Sequence, residues 1–134
     1  MIDTLALIPG CILYVVVCTL GFLKKLRNDR IIFILINATG LISVYAIFLK
    51  IQGLPFVGRV RGSDALFIPF IYVLTYAVLR HFYKQTYNRE PTYNRTDWYD
   101  PDEGREQNFF DVAVFILPMA FSIFFPVLLN YIWQ

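Results

Sequence analysis

Histidine and cysteine are scarce in this sequence, and each scarcity removes a class of chemistry. One histidine in 134 residues excludes bis-histidine haem ligation within a single chain. The two cysteines, Cys11 and Cys18, lie in one apolar run. Seven helical positions separate them by about 10 Å along the axis, too far for a disulfide. With no third cysteine or histidine close by, they make a poor metal site and read as small packing residues. No cofactor pattern is present, and none is expected. Charge is scarce as well: 16% of residues are Asp, Glu, Lys or Arg, against 57% apolar. A soluble domain needs polar cover for its surface, so the surrounding solvent must be mostly lipid.

The charges gather between four apolar runs, which predict an all-α integral membrane protein, a four-helix transmembrane bundle forming one domain over residues 1–134. A crossing takes roughly 20 residues at about 1.5 Å each. Spans are expected at about residues 5–23, 31–49, 65–83 and 112–133, with a loop at 84–111 joining the last two. The third span is short, 15 residues before Arg80, and needs Arg80 and Lys84 to reach up to the interface. The first lacks the basic stretch that precedes a secretory signal's apolar core, so it reads as a retained anchor.

Basic residues near span ends set orientation. The first connection holds Lys24, Lys25, Arg27 and Arg30, and the third holds Arg80, Lys84, Arg89, Arg95 and Arg105; the second has Lys50, Arg59 and Arg61. Both richer connections are therefore expected in the cytoplasm, with the N and C termini outside a cell (cytoplasmic or inner) membrane. Lys24, Lys25, Arg27 and Arg30 are expected to meet anionic lipid headgroups, and nothing in so short a connection calls for nucleic acid.

Small and polar residues mark contact faces in membrane helices. Thr39, Ser43, Ala46 and Lys50 share one face of the second span, while Asn37 points nearly opposite and, as an amide in hydrocarbon, should also face protein. Tyr72, Tyr76 and Tyr83 form a stripe on the third span. Ser63 or Asp64 is placed to cap that helix. Pro118 and Pro126 are expected to kink the fourth span and free the carbonyls of Val114 and Ser122. These residues either pack helices or line a pathway. No Asp, Glu or His is expected at mid-membrane, which argues against a proton-coupled transporter.

Between Arg80 and Asp111 the composition changes to twelve charged residues mixed with Tyr83, Tyr87, Tyr93, Trp98 and Tyr99. The third helix should end near Asn88, before Pro91. The first half is basic and the second acidic, so the acidic stretch is expected to close onto Arg89 and Arg95. Its carboxylates do not have the spacing of a calcium loop, and no metal is expected. Arg89, Arg95, Trp98, Tyr99 and Asp100 are the candidate partner-binding residues, because aromatics mixed with charge favour interfaces. The reading is a non-enzymatic membrane subunit or adaptor that binds a partner protein through residues 80–111, as in defence, toxin-immunity or secretion assemblies. The alternatives are a homo-oligomeric pore, channel or small transporter, and an interfacial enzyme using the acidic loop.

Overall fold

The computed structural model describes residues 2–51, 62–94 and 96–132, with the side chains of residues 2–5, 62 and 63 left aside. Four helices carry the chain: α1 (Ile2–Phe22), α2 (Asp29–Ile51), α3 (Ile68–Tyr87) and α4 (Phe109–Ile132). Short 3₁₀ turns at Lys25–Arg27 and Gly62–Leu66 precede α2 and α3, and a two-stranded hairpin, β1 (Tyr99–Asp100) and β2 (Arg105–Glu106), precedes α4. Three helical stretches, Asp29–Ile51, Asp64–Tyr87 and Phe109–Ile132, are long and apolar enough to cross a membrane. In α1 the described apolar stretch is Ala6–Phe22. This is the construction of a membrane-embedded protein, since three such helices cannot be covered by the remaining polar chain.

Local chemistry places the helix ends. Asn28 caps α2, its side-chain oxygen accepting the Arg30 amide at 2.9 Å. Asn108 and Asp111 form a reciprocal capping box at the start of α4: the Asp111 amide donates to Asn108 Oδ1 at 2.7 Å, and the Asn108 amide donates to Asp111 Oδ2 at 2.9 Å. Asn88 ends α3 in a left-handed conformation, its amide bonded to the Lys84 carbonyl at 2.9 Å. Phe67 holds the cap position of α3 without a side-chain bond. Of the two residues expected to cap this helix, the Ser63 side chain lies outside the described residues, and Asp64 pairs with Lys50 Nζ at 2.5 Å and accepts from Asn130 Nδ2 at 2.8 Å.

The core lies between α1, α3 and α4, where Val17, Cys18, Tyr72, Val73, Tyr76, Val114 and Phe115 are buried together. Tyr72 stacks on Tyr76 with centroids 6.4 Å apart, and Tyr76 leans on Phe115 at 5.6 Å. Thr39, Ser43 and Ala46 are buried on α2, but the two hydroxyls bond their own helix, Thr39 to the Leu35 carbonyl at 2.6 Å and Ser43 to the Thr39 carbonyl at 3.0 Å. They let α2 approach without bridging to a neighbour. Among the described residues Asn37 meets no neighbouring helix within the single chain: it is exposed, and its amide donates to the Phe33 carbonyl of its own helix at 2.7 Å. The geometry behind this is that, among the described residues, α2 packs chiefly on α3 and the two 3₁₀ turns, which cover one of its faces. Cys11 is likewise exposed, whereas Cys18 is buried.

Helix α4 runs unbroken through Pro118 and Pro126, both buried. Ser122 Oγ donates to the Met119 carbonyl at 2.9 Å, and the Tyr14 hydroxyl reaches the same oxygen at 3.5 Å.

Candidate functional site

The first and third connections meet at one end of the bundle and build a charged cap. Its outermost part is the hairpin, paired Tyr99 with Glu106 and Asp100 with Arg105. Gly104, at φ 65°, turns the chain back, a conformation that costs a residue without Cβ little. Alternation along β1 then points Asp100 inward and Tyr99 outward.

Asp100 is 1% exposed, and its charge is met from the other connection: Lys24 Nζ donates to its two oxygens at 3.0 and 2.7 Å and to Asp102 at 2.9 Å. The Thr92 hydroxyl also donates to Asp100. Burial alone would raise this carboxyl, but the Lys24 ammonium and the Asp102 amide outweigh it and hold it below the usual carboxylate range. Lys24 itself has φ 59°, an unfavourable backbone for a residue with a side chain, held where its ammonium can reach Asp100. Arg27, in the same connection, pairs with Glu103 and donates to the Pro91 carbonyl at 2.9 Å.

Arg80 is the second anchor. Its Nε and one terminal nitrogen clasp Glu90 at 2.8 and 2.7 Å, and the guanidinium also reaches Asp29 at 2.5 Å and the Arg27 carbonyl at 2.6 Å. Arg80 is 6% exposed, because the connections at this end of the bundle fold over it and supply the acceptors that water would otherwise give. Asp111, fully buried, is the third: it takes both terminal nitrogens of Arg105 at 2.8 and 2.9 Å and the Thr92 amide at 3.0 Å. Burial pushes its carboxyl up, but Arg105 and the Asn108 amide pull harder, bringing it down to about 2.

The acidic stretch thus closes onto Lys24, Arg27 and its own Arg105, rather than onto Arg89. Arg89 stays exposed, near the Tyr83 hydroxyl at 3.3 Å and over the Tyr87 ring at 5.5 Å; Arg95 lies outside the described residues. Asp100, a candidate contact from sequence, faces inward and is engaged within the chain. Trp98 and Tyr99 are about half exposed on the outer side of the cap, beside the exposed Asp97, Asp102 and Glu106. Of the four basic residues expected at headgroups, Lys24 and Arg27 are committed to the cap, whereas Lys25 and Arg30 are exposed.

Sequence reasoning missed Arg80, Thr92, Arg105 and Asp111 as organisers. The Asn108 to Asp111 capping-box spacing was the one available signal. Among the described residues no group of three His, Cys, Asp or Glu stands ready to hold a metal. His81 Nε2 meets Gln85 at 3.0 Å. An open cleft of about 270 Å³ lies beside Phe22, Lys24, Tyr93 and Asp102, and Lys24 in it is already paired.

No protein-family model, curated protein or solved structure matches this chain.

Proposed function

We propose that this chain is a four-span membrane subunit, an adaptor without enzymatic activity, whose charged cap lies in the cytoplasm and docks a partner protein. Helix α1, at 21 residues, is about 31 Å long and sufficient for the fourth crossing. An even number of crossings puts the start of α1 and the end of α4 on the same, outer side, and the excess of Lys and Arg in the first and third connections favours the cap inside. Lys25 and Arg30 are then the residues facing anionic headgroups. One observation carries the docking role: buried ion pairs hold the cap in one shape while Trp98 and Tyr99 are left outside it. A surface already ordered loses little entropy on binding, and exposed Trp and Tyr are the side chains that contribute most at interfaces.

The experiment is crosslinking in native membranes, comparing the natural chain with Trp98→Ala/Tyr99→Ala and with Lys25→Ala/Arg30→Ala. A specific second polypeptide lost with the aromatic pair and kept with the basic pair supports docking. Equal recovery in all three rejects this surface. For orientation, single cysteines at Lys25 and Gly58, in a chain lacking Cys11, are treated with a membrane-impermeant thiol reagent on intact cells. Labelling at Gly58 and protection at Lys25 is the expected result; the reverse would overturn the orientation.

A further inference from the structure

We propose that the uncovered face of α2 is an interface with a second copy of this chain, two α2 helices packing in parallel and in register about Asn37. Helix α2 divides into two seams. One, through Ile32, Thr39, Ser43, Ala46 and Leu49, is buried against the rest of the chain. The other, Arg30, Ile34, Asn37, Leu41, Val44, Phe48 and Ile51, is exposed at every position. Its intervals alternate four and three residues from end to end, the spacing that keeps one helix against another over several turns.

Lipid suits the apolar members of this seam, but it does not suit Asn37. Eight residues into α2, Asn37 stands about 12 Å from the start of the helix, beyond the reach of so short a side chain to water. Its amide nitrogen gives one hydrogen to the Phe33 carbonyl. That leaves a second hydrogen and the carbonyl oxygen facing hydrocarbon, where only another polar group can satisfy them.

Identical copies enter the membrane in one direction, so an α2 pair between them is parallel and brings equal residues to equal depth. Asn37 then meets Asn37. A carboxamide both donates and accepts, so the two form reciprocal hydrogen bonds about a two-fold axis. A single Asn in an otherwise apolar seam also fixes the register, because sliding by a turn would leave both amides unpaired. Arg30 sits at the seam's end, where the two long side chains can spread into water. This interface is on α2 and owes nothing to the partner-docking surface of the cap.

The test uses the full chain in its native membrane, with Cys11→Ala removing the exposed thiol. Leu41→Cys and Val44→Cys, on the seam, are expected to give an oxidised dimer, whereas Ile47→Cys, exposed but off the seam, is not. Equal linkage at Ile47, no linkage anywhere, or linkage only to a different polypeptide would overturn the proposal, the last two pointing to lipid or to another protein on this face. Separately, resonance energy transfer between labelled copies, measured while diluting with lipid, reads the dissociation constant. Asn37→Leu is expected to raise it about tenfold, for the loss of two intramembrane hydrogen bonds, and Asn37→Gln to keep most of the association. An unchanged constant in Asn37→Leu rejects the role of Asn37 even if the seam crosslinks. Asn37 is exposed in the single chain, so the substitution leaves the fold of each copy intact.

Discussion

Asp111 takes both terminal nitrogens of Arg105, six residues earlier in the chain, at 2.8 and 2.9 Å while having no exposed surface of its own. The same carboxylate closes the capping box of α4 and holds the Thr92 amide, so one side chain fastens the hairpin to the helix that follows it. Removing one member of such a pair leaves the other charged and poorly solvated. Asp111→Asn keeps the shape and deletes the charge. It is expected to cost the cap about 3 kcal/mol. Hydrogen exchange across residues 90–108 in nanodiscs should show it as a loss of protection confined to that segment.

Acid should loosen the same attachment. Asp111 titrates near 2 in the folded chain, against about 3.9 for a free aspartate. Because the folded value is the lower one, its stabilisation is complete above the unfolded value and is lost as pH falls through the folded value. Glu90 and Asp100 are depressed too, despite burial that opposes it, by Arg80 and by Lys24, so they act in the same sense. Cap protection is expected to stay level from about pH 7 to 5 and to fall between about pH 4 and 2. Loosening already complete at pH 5 would mean that other groups control the cap.

Lys24 touches two carboxylates whose surroundings differ. Asp100 is buried and Asp102 is largely exposed, so equal distances do not imply equal worth. Asp102→Asn is expected to change stability by less than about 0.5 kcal/mol, as surface pairs usually do. Lys24→Met strands the Asp100 charge, and a cost of about 3 kcal/mol is expected, read as proteolysis after Arg105 appearing at lower protease concentration.

The apolar runs made the helices legible, because a membrane crossing requires length and hydropathy and little else. Asn88 and Pro91 likewise announced the end of α3 through local backbone preference. The cap was harder. Lys24 and Asp100 are 76 residues apart, and Arg80 and Asp29 are 51 apart. Composition shows that the segment is charged, but which cation meets which carboxylate depends on how the helices bring the two connections together. That is why Asp100 looked like a surface contact. Asn37 has a related ambiguity: a polar residue in an apolar run implies a partner, but periodicity does not say whether that partner belongs to the same chain.

Two glycines give a last, opposed pair of expectations. In α1, a Cβ added at Gly10 would lie 2.8 Å from both the carbonyl carbon and the oxygen of Ala65. That obstacle is backbone in the 3₁₀ turn ahead of α3, and the turn also places Asp64 against Lys50, so it cannot withdraw without disturbing a buried ion pair. Gly10→Ala is therefore expected to destabilise by about 1 to 3 kcal/mol, the usual cost of overfilling a packed contact. In α2, a Cβ at Gly40 would meet only the Phe70 ring, at an ordinary 3.5 Å. There the gain from replacing glycine within a helix, up to about 1 kcal/mol, meets no steric opposition. Thermal unfolding midpoints in one detergent should move in opposite directions for the two substitutions, down for Gly10→Ala and level or up for Gly40→Ala. A matching drop in both would mean that the close approach of α1 to the turn at Ala65 is not what limits the bundle.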